Sequence, residues 1–128
     1  MSNLPPAVRV NPGLSLELET RQREMHAKFF DGLANPTRLR IVELLLERGE
    51  MNVSEIITAV GMSQGQISNQ LGCLKWCGYV TSTCKGKYVY YRVTDGRIRS
   101  LIELAQAVVA DNAEHIRTCT RMGAQKSN

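Results

Sequence analysis

The sequence predicts a mainly α-helical fold that carries one β-hairpin, and three observations predict it. Apolar residues recur at helical spacing over most of the chain, two short helical stretches are separated by only three residues, and two runs rich in Val, Thr and Tyr flank a Lys-Gly-Lys turn. A chain of 128 residues, 43% of them apolar, fills a single core without help from disulfides. Charged residues at 22% and aromatic residues at 5% exclude a disordered polyelectrolyte and an aromatic-lined groove for sugars or bases. No run nears the ~18 consecutive apolar residues that span a bilayer. The N-terminal stretch also lacks a basic start followed by an apolar segment. The expectation is a cytoplasmic protein with no membrane partner.

Residues 1–13 hold three of the four prolines and no apolar period, which predicts a mobile N-terminal arm. Residues 14–119 make the predicted folded domain and residues 120–128 a flexible tail. Over residues 14–33, Met25, Phe29 and Leu33 recur at helical spacing among charges, and Gly32 weakens the end of that helix. Asn35 before Pro36 reads as an N-cap with proline in the first helical position. The helix they open, through Leu39, Ile41, Val42, Leu44, Leu45 and Leu46 to Gly49, is apolar enough to be central core.

Asn52 with Glu55 forms a capping box for a short helix of Val53, Ile56, Ile57 and Val60 that Gly61 ends. Ser63 with Gln66 repeats the signature, and Ile67, Leu71 and Leu74 line one face of the helix that follows, up to Gly78. Two short helices joined by Gly61-Met62-Ser63 make a helix-turn-helix. Residues 79–83 and 87–93, joined across Lys85-Gly86-Lys87, make a hairpin with a basic tip, so the motif is winged. Asp95 caps a last helix in which Ile98, Leu101, Ile102, Leu104, Ala105, Ala107, Val108, Val109 and Ala113 leave little polar circumference. One small domain cannot cover such a stripe, which predicts a two-fold homodimer joined through its N- and C-terminal helices.

The net charge of +4 is unevenly spread, with six Lys or Arg between Ile56 and Ile102 against Asp95 alone. A basic block suits a polyanion, although a solvated face explains many such clusters. At ~100° per residue, Ile67, Leu71 and Leu74 fix the buried face of the second helix of the motif. Gln64, Gly65, Ser68, Asn69 and Gly72 then lie outward, with Lys75 beside Gln64. Gln and Asn pair bidentately with adenine in the major groove, Ser reaches bases or phosphates, and glycine permits close approach. Any exposed helix carries uncharged polar residues, so the context decides. Lys85 and Lys87 at the hairpin tip, with Arg92 nearby, can touch phosphates once the helix is docked. The candidate DNA-contacting set is Ser63, Gln64, Gln66, Ser68, Asn69, Lys75, Lys85, Lys87 and Arg92.

These segments resemble a family. Leu33-Ala34-Asn35-Pro36-Thr37-Arg38-Leu39-Arg40-Ile41 resembles the opening of the second helix in ArsR/SmtB transcriptional repressors. Ser63-Gln64-Gly65-Gln66-Ile67-Ser68-Asn69-Gln70-Leu71 is similar to their recognition helix, and Gly86-Lys87-Tyr88-Val89-Tyr90-Tyr91-Arg92-Val93 to their wing. The resemblance covers residues 31–119 in the family's order. It implies a dimeric repressor, not an enzyme, that leaves double-stranded operator DNA when an inducer, commonly a metal ion, binds.

Four cysteines in a cytosolic chain stay reduced, so their spacing is read for metal or thiol chemistry. Cys73 and Cys77 stand one turn apart on a flank of the recognition helix, a spacing of about 6 Å at Cβ that lets two sulfurs grip one soft ion. Two thiolates hold a metal incompletely, and Cys119 near the end of the last helix is the leading third donor, from the same or the other protomer. The Cys-x-x-x-Cys resembles the cadmium- and lead-sensing CmtR type within the family, in which the other subunit's C-terminal region completes the pair. That resemblance implies Cys73, Cys77 and Cys119 as metal ligands. Such a site favours Cd²⁺ or Pb²⁺ as inducer, with Hg²⁺ or As(III) also chemically reasonable, and no organic cofactor. Cys84 has no spaced partner and reads as structural. Met51-Asn52-Val53-Ser54-Glu55 holds none of the cysteines other members use there, and Asp95-Gly96-Arg97 stands where zinc sensors resemble Asp-x-His, so neither of those sites is expected. His26 and His115 read as surface residues.

The expected cycle is repression by the apo dimer, ion capture, release from DNA and transcription of a resistance or efflux gene. One rival makes Cys73 and Cys77 a redox or persulfide switch on the same fold, but a helical pair one turn apart must distort to reach disulfide geometry. Another rival, a thiol reductase, lacks a strand-loop-helix around its cysteines and any glycine-rich phosphate loop.

Overall fold

The computed structural model describes residues 12–118, which form α1 (Pro12–Asp31), α2 (Pro36–Arg48), β1 (Met51–Asn52), α3 (Val53–Val60), α4 (Gln64–Trp76), β2 (Val80–Lys85), β3 (Tyr88–Val93) and α5 (Arg97–Asp111). The predicted winged helix-turn-helix is what the chain adopts. The rest of the predicted arm, Cys119 and the predicted tail lie outside the described residues. Two compact units divide the chain, one ending at Thr94 and the other beginning at Asp95.

In the first unit α1 opens at Pro12, two residues before the expected start, because proline is pre-set for the first helical turn. The Asn35 side chain accepts from the Thr37 and Arg38 amides at 2.9 and 3.1 Å and starts α2 as predicted. Ile41, Val42, Leu44 and Leu45 of α2 are buried, and Ile56 of α3 and Ile67, Leu71 and Leu74 of α4 join them in the core. Each such side chain contributes about 1.5–3 kcal/mol by leaving water. Both capping boxes form, Asn52 with Glu55 and Ser63 with Gln66. The end of α4 closes by a Schellman arrangement, in which the Gly78 amide donates to the Lys75 carbonyl and the Tyr79 amide to the Leu74 carbonyl. Gly78 supplies the positive φ of 85° that this cap requires.

The sheet departs from the expected hairpin. It has three antiparallel strands in the order β1-β3-β2, with Met51 opposite Tyr91 and Asn52 opposite Tyr90. β1 is two residues long and offers no alternation to read. β2 starts at Val80 rather than residue 79, because the Tyr79 amide is spent on the helix cap. Gly86 and Lys87 alone connect β2 to β3, and the φ of +64° at Gly86 is what a type II′ hairpin turn demands of its first residue.

α1 ends at Asp31, just before Gly32, as the sequence suggests, and Gly32 also allows close packing. A Cβ there would lie 2.8 Å from the Tyr79 ring and 3.1 Å from both Cβ and Sγ of Cys77. The Phe29 ring stacks on Tyr79 at 4.6 Å, and the Tyr79 hydroxyl donates to the Phe29 carbonyl at 2.6 Å. Burial, with Cys77 adding to it, pushes the Tyr79 phenol up to about 12. Gly32→Ala is expected to overpack this junction and cost about 1–3 kcal/mol, lowering the melting temperature by several degrees. A calorimetric melt unchanged from wild type would show that the junction yields freely. Phe29 and Leu33 are half-buried as the α1 pattern predicts, but Met25 is exposed.

In the second unit the Asp95 carboxylate accepts from the Arg97 amide at 2.8 Å and so starts α5 as expected, one residue ahead of Gly96, which precedes the first helical residue. The Arg97 guanidinium, 2.7 Å away, and that amide bond hold the Asp95 carboxyl down at about 2. Ile98 and Ile102 are buried, whereas Leu104, Val108 and Val109 are exposed. Among the described residues no helix is long and apolar enough to cross a membrane.

Candidate DNA-reading face and thiol cleft

α4 is fixed from beneath by Ile67, Leu71 and Leu74, each almost wholly buried. That anchoring turns Gln64, Ser68, Asn69 and Lys75 to solvent, as the helical wheel predicts. Ser63 and Gln66 are also exposed, but their side chains are engaged with each other at 3.0 Å and serve first as the helix start. Gly65 and Gly72 lie on the exposed face, and a Cβ built on either meets nothing within 4 Å. Among the described residues nothing requires glycine at these two positions, where each weakens the helix by about 1 kcal/mol relative to alanine.

The basic residues divide into engaged and open ones. Lys75 Nζ donates to Ser82 Oγ at 2.8 Å, and Lys85 Nζ pairs with Glu50 at 2.5 Å while lying 5.3 Å from the Tyr90 ring centre. Lys87, at the turn, has its ammonium over the Tyr88 ring, 5.8 Å from the ring centre. Arg92 is exposed on β3 opposite Thr81. The wing therefore presents its charge chiefly through Lys87 and Arg92.

Cys73 is exposed and Cys77 half-buried, and both are free thiols. α4 ends at Trp76 with Cys77 as its C-cap, still right-handed at φ −80° and ψ −3°, and the Cys77 amide donates to the Cys73 carbonyl at 3.0 Å. The predicted one-turn relation of the two thiols is therefore kept. Both line one cleft of about 420 Å³ together with Asp31, Gly32, Arg38, Ser68, Asn69 and Trp76. The cleft thus runs from the thiols to Ser68 and Asn69, candidate base contacts on the same helix. Cys77 and Trp76 also border a second cleft of about 400 Å³ with Met25, His26 and Phe29. Cys84 is exposed on β2 opposite Val89, away from this pair in the sheet.

Among the described residues no group of three or more His, Cys, Asp or Glu gathers where it could hold a metal ion. The donor set that is described is two soft sulfurs one turn apart. It fits a thiophilic ion and leaves coordination positions open to a further donor. Sequence reasoning passed over Trp76, which is 90% exposed at the lip of both clefts. Its signal was available, since nine residues beyond Ile67 place it about 180° from the buried face. It also passed over Arg38, whose guanidinium reaches the end of α1 and Gln70 on α4.

Comparison with known proteins agrees with the fold and the motif. Residues 35–82 match the family described as bacterial regulatory protein, arsR family. A probable mercury resistance operon repressor of Streptomyces lividans is 43% identical over 96 residues, which cover 75% of this chain and 76% of that protein. The HTH-type transcriptional regulator CmtR of Mycobacterium bovis is 36% identical over 96 residues, covering 74% and 80%. A homodimeric winged helix-turn-helix DNA-binding domain from Mycobacterium bovis, a fragment of a possible ArsR-family regulator solved in solution, superposes with a TM-score of 0.66 at 31% identity, covering 88% of this chain and 92% of that one.

Proposed function

The chain belongs to the arsR family of bacterial regulatory proteins, DNA-binding transcriptional regulators rather than enzymes, and from that premise we propose that it is a cytoplasmic homodimeric repressor released from its operator by a thiophilic heavy-metal ion. One observation carries the reading: two free thiols, one turn apart on the recognition helix, share a cleft with base-reading residues of that helix. Cys73 and Cys77 hold the ion, and Cys119 supplies the third sulfur that Cd²⁺ or Pb²⁺ needs. Hg²⁺ is satisfied by two thiolates, and As(III) has the same preference for sulfur. The names of the Streptomyces lividans and Mycobacterium bovis relatives, a mercury resistance operon repressor and CmtR, support a heavy-metal inducer.

Residues 14–119 act as the DNA-binding and dimerising domain, with 1–13 and 120–128 as arm and tail. The exposed apolar residues Leu14, Leu16 and Phe30 of α1 and Leu104, Val108 and Val109 of α5 support a dimer joined through both helices. Gln64, Ser68 and Asn69 read bases while Lys87 and Arg92 touch phosphates. Two recognition helices must match major grooves about 34 Å apart, so an ion that draws the flank of each helix toward a new partner disturbs that match. Linkage requires the ion to bind the free form more tightly than the DNA-bound form.

The test is DNA affinity at fixed salt, with and without saturating Cd²⁺, Pb²⁺ or Hg²⁺, on a duplex enriched from a random pool by the metal-free protein. A loss of about 5–150-fold is expected for at least one ion. Equal affinity with and without all three would sink the reading.

A further inference from the structure

Arg38 belongs neither to the buried core nor to the DNA-contacting set, yet all three of its guanidinium nitrogens are engaged. Nε donates to the Gly32 carbonyl at 2.7 Å and Nη2 to the Asp31 carbonyl at 3.1 Å, both at the end of α1. Nη1 donates to Gln70 Oε1 at 3.0 Å, on the recognition helix beside Asn69. A guanidinium presents these donors in a rigid planar fork, so one side chain on α2 holds the end of α1 and α4 in a fixed relation. Lysine keeps the charge but not the fork.

The segment that Arg38 grips rests directly on a thiol. A Cβ at Gly32 would stand 3.1 Å from Cys77 Sγ, so that side of the sulfur has no space for an added group. An ion must therefore approach Cys77 from the cleft, against a sulfur backed by the Gly32 segment, and any shift of that sulfur is passed to the segment, because packed interiors transmit displacement rather than absorb it. Gly32 provides the shortest of the three Arg38 contacts, and Arg38, Cys73, Cys77, Ser68 and Asn69 line the same cleft. α4 does not need Arg38 to stay folded, since Ile67, Leu71 and Leu74 anchor it in the core. What Arg38 adds is a contiguous hydrogen-bonded route from the bed of the thiol to the base-reading helix.

We infer that Arg38 is the positioning residue that carries the state of the Cys73 and Cys77 cleft to the recognition helix through Gln70. The inference rests on the proposed metal response. Its test compares the full-length wild type with Arg38→Lys and Gln70→Met, using Cd²⁺ and Hg²⁺ as probes and the same enriched duplex. Three quantities are read: sulfur-to-metal charge transfer on titration, DNA affinity without ion, and DNA affinity with saturating ion. In both variants, ion affinity and metal-free DNA affinity are expected to stay within about threefold of wild type, while the ion-induced loss of DNA affinity falls from about 5–150-fold to less than about twofold. A purely structural role would instead move the melting temperature or both basal affinities and leave the ratio intact. Gln70→Met spares the contacts of Arg38 with α1 and cuts only the last link, so it tests the route even where Arg38→Lys folds poorly. Either variant keeping the full wild-type ratio overturns the inference alone. A wild type that shows no ion-induced loss removes the metal reading and this inference with it.

Discussion

Cys73→Ser and Cys77→Ser are each expected to abolish release from DNA by heavy-metal ions while leaving metal-free DNA binding near wild type. Each substitution removes one of two sulfurs that the helix places one turn apart on a single cleft. Loss of a direct ligand weakens binding beyond the roughly 10–100-fold that loss of an outer-shell partner costs. Both residues share a cleft with Ser68 and Asn69 but are not themselves candidate base contacts, and neither side chain is part of the buried core, so basal affinity is spared. Ultraviolet titration of the reduced protein with Cd²⁺ or Pb²⁺, the ions that need all three thiolates, checks this through the sulfur-to-metal band, which should vanish in both variants and survive in Cys84→Ser, whose thiol lies on the wing. Cys119→Ser separates the ions. It should eliminate the Cd²⁺ and Pb²⁺ response, which needs a third thiolate, and leave Hg²⁺ binding, which two thiolates satisfy. A Cd²⁺ band of full intensity in Cys73→Ser or Cys77→Ser would remove the pair from the site.

What could be read from the sequence was what is encoded locally. Asn35 with Pro36, the two capping boxes and the glycines after α3 and α4 each fix a helix boundary within a few residues, and every one of those boundaries formed as read. The outward face of α4 followed from three buried residues and the helical period, and so did the common flank of Cys73 and Cys77. What escaped depends on contacts between distant segments. Gly32 was read as a weak helix end, which it is, but its close packing was not legible, because only the folded chain brings Tyr79 and Cys77 to 2.8 and 3.1 Å from where a Cβ would stand. Arg38 reaches a residue 32 positions away, and β1 exists only because Met51 and Asn52 find Tyr91 and Tyr90 on the far side of the motif. No window of sequence displays either relation.

On the DNA side, Asn69→Ala and Gln64→Ala are each expected to weaken binding to the enriched duplex by about 1–3 kcal/mol and to relax preference at one or two base pairs, since a bidentate amide-to-adenine pair is lost. The wing should behave differently. Lys87→Ala and Arg92→Ala should weaken binding to all sequences alike and reduce the slope of log affinity against log salt by about one each, because each releases roughly one counterion from the duplex. Lys85→Ala should change that slope less, although Lys85 stands next to the same turn. Its ammonium is already paired with Glu50 at 2.5 Å, so the net charge it brings to a phosphate is small, and removing it also leaves Glu50 unmatched beside the DNA. Glu50→Gln then carries the opposite expectation, a steeper slope and tighter binding at low salt, because it frees Lys85 for phosphate. Salt titrations of these four variants against two unrelated duplexes check the assignment. Equal slopes for Lys85→Ala and Lys87→Ala would mean that the ion pair opens on DNA, and a sequence-selective loss in Lys87→Ala would move the wing from backbone contact to groove reading.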